Sequence, residues 1–214
     1  MEDCRKILVD GIAALNLSVD EQKIDRLLAF IKLIEKWNKA YNLTAIKKQN
    51  DMVRLHLLDS LTVIPYLEGE RVIDIGTGAG LPGIPLAICL PHLTFTLLDS
   101  NAKKTRFVQQ AVLELKLANV QVFHSRVEDY QPEQAFSTVL TRAFAELSYI
   151  VKSTQHLLTK NGKMIAMKGC CTGAELAQVK ARKTVITVKI PSVEAERNLV
   201  CIQLNHESID EVLG

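Results

Sequence analysis

Apolar residues in the first third of the chain recur at helical spacing. Ile24, Leu27, Leu28, Ile31, Leu33 and Ile34 share one face, with Arg26, Lys32 and Glu35 turned toward water. Asp20 is placed to cap this helix, and the acids Asp20 and Glu21 suit the positive end of its dipole. Val53, Leu57, Leu58, Leu61 and Ile64 predict a further helix over 50–67. From residue 71 the texture changes. Short apolar runs near 71–76, 94–99, 120–124, 138–142, 163–168, 184–190 and 198–204 read as strands, and helical segments near 82–90, 102–117, 144–157 and 172–182 fill most gaps. Such alternation builds a doubly wound α/β fold around a mostly parallel sheet. Only PSVEAER separates the last two runs, so they are expected to close as an antiparallel hairpin. The expected organisation is a helical extension over 1–68 packed on a seven-stranded unit over 69–214.

Composition narrows the class. A chain of 214 residues has room for one α/β domain plus an extension. No apolar run reaches the length that crosses a bilayer, and the opening MEDCRKILVD lacks the apolar core of a signal peptide, so a cytoplasmic protein away from membranes is expected. Cys4, Cys89, Cys170, Cys171 and Cys201 form no C-x-x-C pair and have no histidine at ligand spacing. They read as reduced thiols, with no metal site, and adjacent Cys170 and Cys171 as small residues ending a strand. A net charge of +2 gives no global nucleic-acid signature, so any such surface must be local. Nothing implies a protein partner, and a monomer is expected.

The chemistry concentrates in VIDIGTGAGLPGIPLAI, residues 72–88, where an apolar strand runs into Gly76, Gly78 and Gly80. Glycines at such a turn let the backbone close on a ligand. Asp74 precedes them, and the next strand ends in Asp99, where an α/β sheet holds a nucleotide ribose. Gly78, Gly80 and Gly83 also satisfy G-x-G-x-x-G, which opens an NAD reading. Against it, Pro82 and Pro85 remove amide donors from the turn that would meet a pyrophosphate. Asp74 in that place suits a cationic ligand, and S-adenosylmethionine, with its ammonium and sulfonium, is favoured as cofactor.

Five segments carry a family resemblance: WNKAYNLTAI (37–46), HLLDSL (56–61), DIGTGAGLPGIPLA (74–87), SRVED (125–129) and TRAFAEL (141–147). Together they resemble the small-subunit ribosomal RNA methyltransferase G family, also called glucose-inhibited division protein B. The resemblance implies a class I methyltransferase (Rossmann-like) fold and methyl transfer to N7 of guanosine 527 in 16S rRNA, free or in the small subunit. It places cofactor contacts on Gly76, Leu81, Val127, Glu128 and Arg142, beside Asp74, Gly78, Gly80 and Asp99 from the motif itself. Guanine N7 already bears a free lone pair, so no general base is needed. Arg142 is the catalytic candidate: it cannot act as a base, and clamping a carboxylate, a phosphate or the guanine edge are its open roles. Its loss is expected to lower activity without unfolding the protein. A class I methyltransferase acting on another RNA, a protein or a small molecule is the alternative, and an RNA-binding module with a vestigial loop a further one.

Lys103, Lys104 and Arg106 crowd the first turn of a helix, where the dipole disfavours cations, and so suggest an external anion. Asn42 and Lys168 join them as candidate RNA contacts, with Lys47, Lys48, Arg54 and Arg197 as extensions. Trp37 and Tyr41, four residues apart, are expected to pack the extension on the main unit. His56 is taken as structural, and Asp59 and Glu68 as members of solvated helix faces.

Overall fold

The computed structural model describes residues 2–142, 145–191 and 193–204. Helices α1 (Glu2–Ala14) and α2 (Glu21–Tyr41) open the chain. Asp20 caps α2 by accepting from the Lys23 amide, and Asn42 ends it in the left-handed region (φ 50°) with its N–H on the Asn38 carbonyl. The helix predicted over 50–67 is three pieces and a turn: α3 (Gln49–Met52), a π-helical stretch Val53–Leu58, α4 (Asp59–Leu61) and a single 3₁₀ turn, Ile64–Tyr66.

Strands β1 (Arg71–Ile75), β2 (Thr94–Asp99), β3 (Val120–His124), β4 (Phe136–Arg142), β5 (Leu158–Lys168), β6 (Arg182–Val188) and β7 (Arg197–Gln203) form one sheet in the order β3-β2-β1-β4-β5-β7-β6. The first five run parallel, while β7 lies antiparallel between β5 and β6. The terminal hairpin is thus present, with its second strand inserted inward. Helices α5 (Gly83–Cys89), α6 (Ala102–Glu114), α7 (Leu147–Thr154) and α8 (Gly173–Ala177) complete the fold. The helix expected over 172–182 is only the short α8. Phe144, the predicted first residue of a helix, and residues 205–214 lie outside the described residues.

Alternation along the central strands separates two cores. Val72, Phe95, Leu97, Leu140 and Ile165 face a cluster shared with α1, α2, α5 and α6. Ile73, Ile75, Leu98, Val139 and Met164 face the opposite cluster, which α7 covers. The front helices therefore share a continuous core with one sheet face. Trp37 stacks on Tyr41 (5.3 Å between centroids) and tilts against Phe107 of α6 (6.4 Å), which ties α2 to the sheet layer.

Candidate active site

β1 must end in a tight reversal to feed α5, and Gly76, Gly78 and Gly80 permit it by adopting φ of 66°, 59° and 81°. The Thr77 amide donates to the Leu98 carbonyl (3.1 Å), and the Gly80 and Leu81 amides donate back to the Thr77 carbonyl (2.9 Å each). Asp74 is wholly buried beneath this loop. Its Oδ2 accepts from Thr77 Oγ1 (2.7 Å) and the Gly83 amide (2.9 Å), while Oδ1 has no partner. Burial pushes its carboxyl up to about 7, against those two hydrogen bonds. The sequence pattern sets Asp74 against a ligand's positive charge. The fold sets it beneath the loop instead, as an internal brace outside the cleft lining, because the strand end it occupies is covered by α5.

The same bonds decide against a pyrophosphate. In the first turn of α5 the Gly83 amide is held by Asp74, the Ile84 and Leu86 amides by the Gly80 and Pro82 carbonyls, and Pro85 has none. No amide of that turn is left for an anion.

A cleft of about 450 Å³ opens beside the loop at the C-terminal ends of β1 to β4. It brings together Gly76, Asp99, Val127, Glu128 and Arg142 from the expected set. Asp99 ends β2 nearly buried, with Oδ2 accepting from the Gly78 amide and Oδ1 from the Asn101 amide (2.8 Å each). A carboxylate has about four lone-pair positions, so capacity remains for hydroxyl donors in the cleft. Gly78 thus acts through Asp99. Gly80 and the buried Leu81 shape the loop from behind.

Ser100, Asn101, Ser125, Arg126 and Tyr149 also line the cleft; the sequence pattern marks Asn101 only as the start of the basic stretch 101–106 and singles out none of the others as a site residue. The first two directly follow Asp99, and the next two belong to the SRVED segment; Tyr149 carries no sequence signal. Its hydroxyl, on α7, donates to the Glu128 carboxylate across the cleft mouth. That bond draws the Glu128 carboxyl down and pushes the Tyr149 phenol up.

Asn101 caps α6 by accepting from the Lys103 (3.0 Å) and Lys104 (3.3 Å) amides. Of the three first-turn cations, Lys104 lines the cleft, while Lys103 and Arg106 are exposed outside it. Asn42, also exposed, borders a separate groove with Glu35, Asn38 and Lys39.

Arg142 ends β4. Its Nη1 donates to the Leu55 carbonyl (3.2 Å) and to Asp59 Oδ2 (3.2 Å). The other oxygen, Asp59 Oδ1, pairs with Arg197 Nε at 3.2 Å. Asp59 is 4% exposed, so its assignment to a solvated helix face is corrected. The physical reason is that every residue from His56 to Val63 is buried, so this stretch has no solvated face for a helical wheel to assign. Burial pushes the Asp59 carboxyl up, and the Arg142 and Arg197 guanidinium groups oppose that shift. Glu68 is exposed as expected but lies past the last helical turn, paired with Lys163.

A second cavity, of about 370 Å³, lies on the other side of Arg142. His56, Asp59, Met167, Lys168 and Arg197 line it, and Arg142 belongs to both walls. His56 is buried, with Nε2 2.9 Å from Thr44 Oγ1, and burial lowers its pKa to about 4. Lys168 bonds the Ala145 carbonyl (3.0 Å) and pairs with Glu175, which ties the end of β5 to α7 and α8.

A family model described as rRNA small subunit methyltransferase G matches residues 23–200. The ribosomal RNA small subunit methyltransferase G of Photobacterium profundum is 47% identical over 198 residues, covering 91% of this chain and 96% of its own. The protein of the same name from Chromobacterium violaceum is 49% identical over 197 residues, covering 90% and 94%. Among solved structures, magnesium protoporphyrin IX methyltransferase from Synechocystis, with bound SAM, aligns at a TM-score of 0.59 and 16% identity over 87% of this chain and 99% of that one. A methyltransferase from Geobacter sulfurreducens aligns at 0.61 and 12% identity over 82% and 90%. At such identities these two share the fold alone.

Proposed function

Because this chain belongs to the rRNA small subunit methyltransferase G family, we propose that it transfers a methyl group from S-adenosylmethionine to N7 of guanosine 527 in 16S rRNA. The observation that carries the cofactor reading is Asp99, a nearly buried carboxylate fixed by two backbone amides yet lining the cleft. The target nucleotide rests on the family resemblance of WNKAYNLTAI and TRAFAEL.

S-adenosylmethionine, when bound, supplies a methyl group activated by its sulfonium. Asp99 accepts from the ribose hydroxyls. Val127 and Glu128 border the nucleobase end, where Tyr149 fixes the Glu128 carboxylate. Gly76 lets the chain approach the ligand, while Asp74, Gly80 and Leu81 hold the loop in shape behind it. Lys104 and Arg142 supply the cationic counterpart to a ligand carboxylate.

Guanine N7 needs no deprotonation, so these residues have only to bind, align and exclude water. Alignment of bound partners supplies roughly 7–11 kcal/mol of a transfer barrier. Arg142, ion-paired to Asp59, orients and does not exchange a proton. The helical unit 1–68 caps the catalytic unit 69–214 in this reading, and Lys103, Arg106 and Asn42 extend toward rRNA phosphates, while Lys168 is held by Glu175. The protein acts as a cytoplasmic monomer on 16S rRNA or the small subunit.

Mass-spectrometric mapping of 16S rRNA from cells with and without the protein tests the proposal. The expected result is loss of one N7-methylguanosine, at position 527, restored by the purified protein with S-adenosylmethionine. An unmodified target with methyl label appearing in another RNA, a protein or a metabolite overturns it.

A further inference from the structure

We propose that the second cavity receives the target guanine, and that Asp59 is a positioning residue holding Arg142 and Arg197 in its wall. This rests on the reading of the chain as a guanine-N7 methyltransferase and adds where the base sits and what reads it.

Placement comes first. The cofactor cleft spans the C-terminal ends of β1 to β4, and the second cavity continues along the same sheet edge over β4, β5 and β7. Lys168 at the end of β5 pairs with Asn198 near the start of β7, which brings Arg197 to that edge. Arg142 is the side chain common to both cavities. Ligands in the two are therefore neighbours beside one guanidinium, and the methyl group passes directly to N7 as its bond to sulfur breaks, with Arg142 flanking the two reactants.

The lining then selects a class of ligand. Leu55 and Met167 offer apolar surface to a planar ring, and His56 is held uncharged. Two guanidinium groups supply the polar contacts, and Lys168 is already paired with Glu175. A wall of donors suits a base edge made of acceptors. The major-groove edge of guanine presents N7 and O6, both acceptors, whereas adenine replaces O6 with an amino donor. N7 must keep its lone pair for the methyl group, so the guanidinium donors read O6.

Asp59 makes that wall possible. Two guanidinium groups side by side repel each other, and the buried carboxylate between them, one oxygen to each, holds both in place. The three residues come from a helix, β4 and β7, and the π-helical stretch aims the Leu55 carbonyl at Arg142 as well. π-Helical turns recur at functional sites.

Gly169 gives an independent handle. It lines the cavity, and a Cβ added there meets nothing closer than Arg197 Nη1 at 3.8 Å. A side chain at 169 can therefore start into the cavity with its Cβ in ordinary contact only.

The test uses the full-length protein and small ribosomal subunits from cells lacking it, with product mapped by mass spectrometry and S-adenosylhomocysteine binding read by calorimetry. Wild-type protein is assayed first, and its failure to modify guanine N7 overturns the functional reading before any variant is made. Given wild-type activity, Gly169→Phe is expected to keep its melting temperature and S-adenosylhomocysteine affinity while kcat/KM on subunits falls at least 100-fold. Arg197→Ala is expected to lose at least tenfold with the same affinity for S-adenosylhomocysteine. Asp59→Asn is expected to lower the preference for guanosine over adenosine at the target position at least tenfold, a ratio that a merely structural role would leave alone. Full activity in folded Gly169→Phe or in Arg197→Ala overturns the base site, and unchanged preference in Asp59→Asn overturns the role of Asp59.

Discussion

The two halves of the sheet's C-terminal edge are built in opposite ways. Over β1 and β2 the cleft is made of neighbours in sequence and of backbone: a glycine loop, amides on Asp99, and an Asn101 cap, all between residues 74 and 104, with residues 125–128 closing it after β3. Over β4, β5 and β7 the second cavity is made of side-chain charges brought from residues 55–59, 142, 168 and 197. A site held by local backbone geometry is a property of one motif. A site held by a distributed ion cluster is a property of the whole fold, so damage to it is felt in stability as well as in activity.

That contrast is broken most forcefully at Arg142. Arg142→Ala leaves Asp59 with Arg197 as its one remaining ion-pair partner among the described residues, and it strips the donor from the Leu55 carbonyl. Breaking a buried pair from one side costs about 3 kcal/mol or more, so the variant is expected to lose about that much stability along with its activity. The expected loss of activity is thus joined by a loss of stability that stops short of unfolding. A shift in the urea midpoint at constant slope reads it, and an unshifted midpoint removes the ion cluster from the stability of this half.

Asp99→Ala probes the opposite half and is expected to act on binding first. It takes away the acceptor proposed for the ribose and the anchor of the Gly78 and Asn101 amides. S-adenosylhomocysteine affinity should fall about 100-fold, which corresponds to about 2.7 kcal/mol. Calorimetry at unchanged affinity takes Asp99 out of the cofactor site.

Gly83→Ala comes next. An added Cβ sits 2.1 Å from Leu97 Cδ2 and 3.0 Å from Asp74 Oδ2, so α5 must lift from β2. Overpacking of this kind costs about 2 kcal/mol, and thermal melting checks it. A variant as stable as wild type shows that Leu97 yields freely and that the loop's brace tolerates displacement.

The same contrast explains what can be read without coordinates. All seven strands fall near the predicted apolar runs; β1, β2 and β4 are the clearest, because a buried parallel strand has few other ways to be written, whereas β3 and β6 are partly exposed and β6 and β7 pair antiparallel. Asp99 is legible for the same reason, since its place at a strand end is fixed by the motif about 20 residues earlier. Asp59 is not. On a helical wheel it falls on the polar side, but the whole stretch from His56 to Val63 is buried, and only the distant Arg142 and Arg197 give its carboxylate partners there. Tyr149 is illegible too: it reaches Glu128 by tertiary placement of α7 alone. Asp74 stands out in the sequence, but its bonds to Thr77 and the Gly83 amide do not, because sequence does not say on which side of a loop a carboxylate lies.

The smallest expected effect sets one buried group from each half against the other. His56, beside the second cavity, has its pKa lowered to about 4, whereas Asp74, under the glycine loop, has its pKa raised to about 7, and burial is the main cause in both. Between about pH 6.5 and 5 the unfolded chain carries a proton on His56 that the folded protein lacks, so this group removes stability as the pH falls. Over the same window the folded protein holds a proton on Asp74 that the unfolded chain has released, so this group adds stability as the pH falls. Each slope is at most about 1.4 kcal/mol per pH unit, and the two have opposite sign, so they largely cancel in the wild type. Substitution separates them. His56→Gln should gain stability on acidification from pH 6.5 to 5 relative to wild type, and Asp74→Asn should lose it, each read from urea midpoints across the window. Parallel profiles for the two variants break the comparison at its root, since they mean that these two burials do not set opposite proton balances in the two halves of the sheet edge.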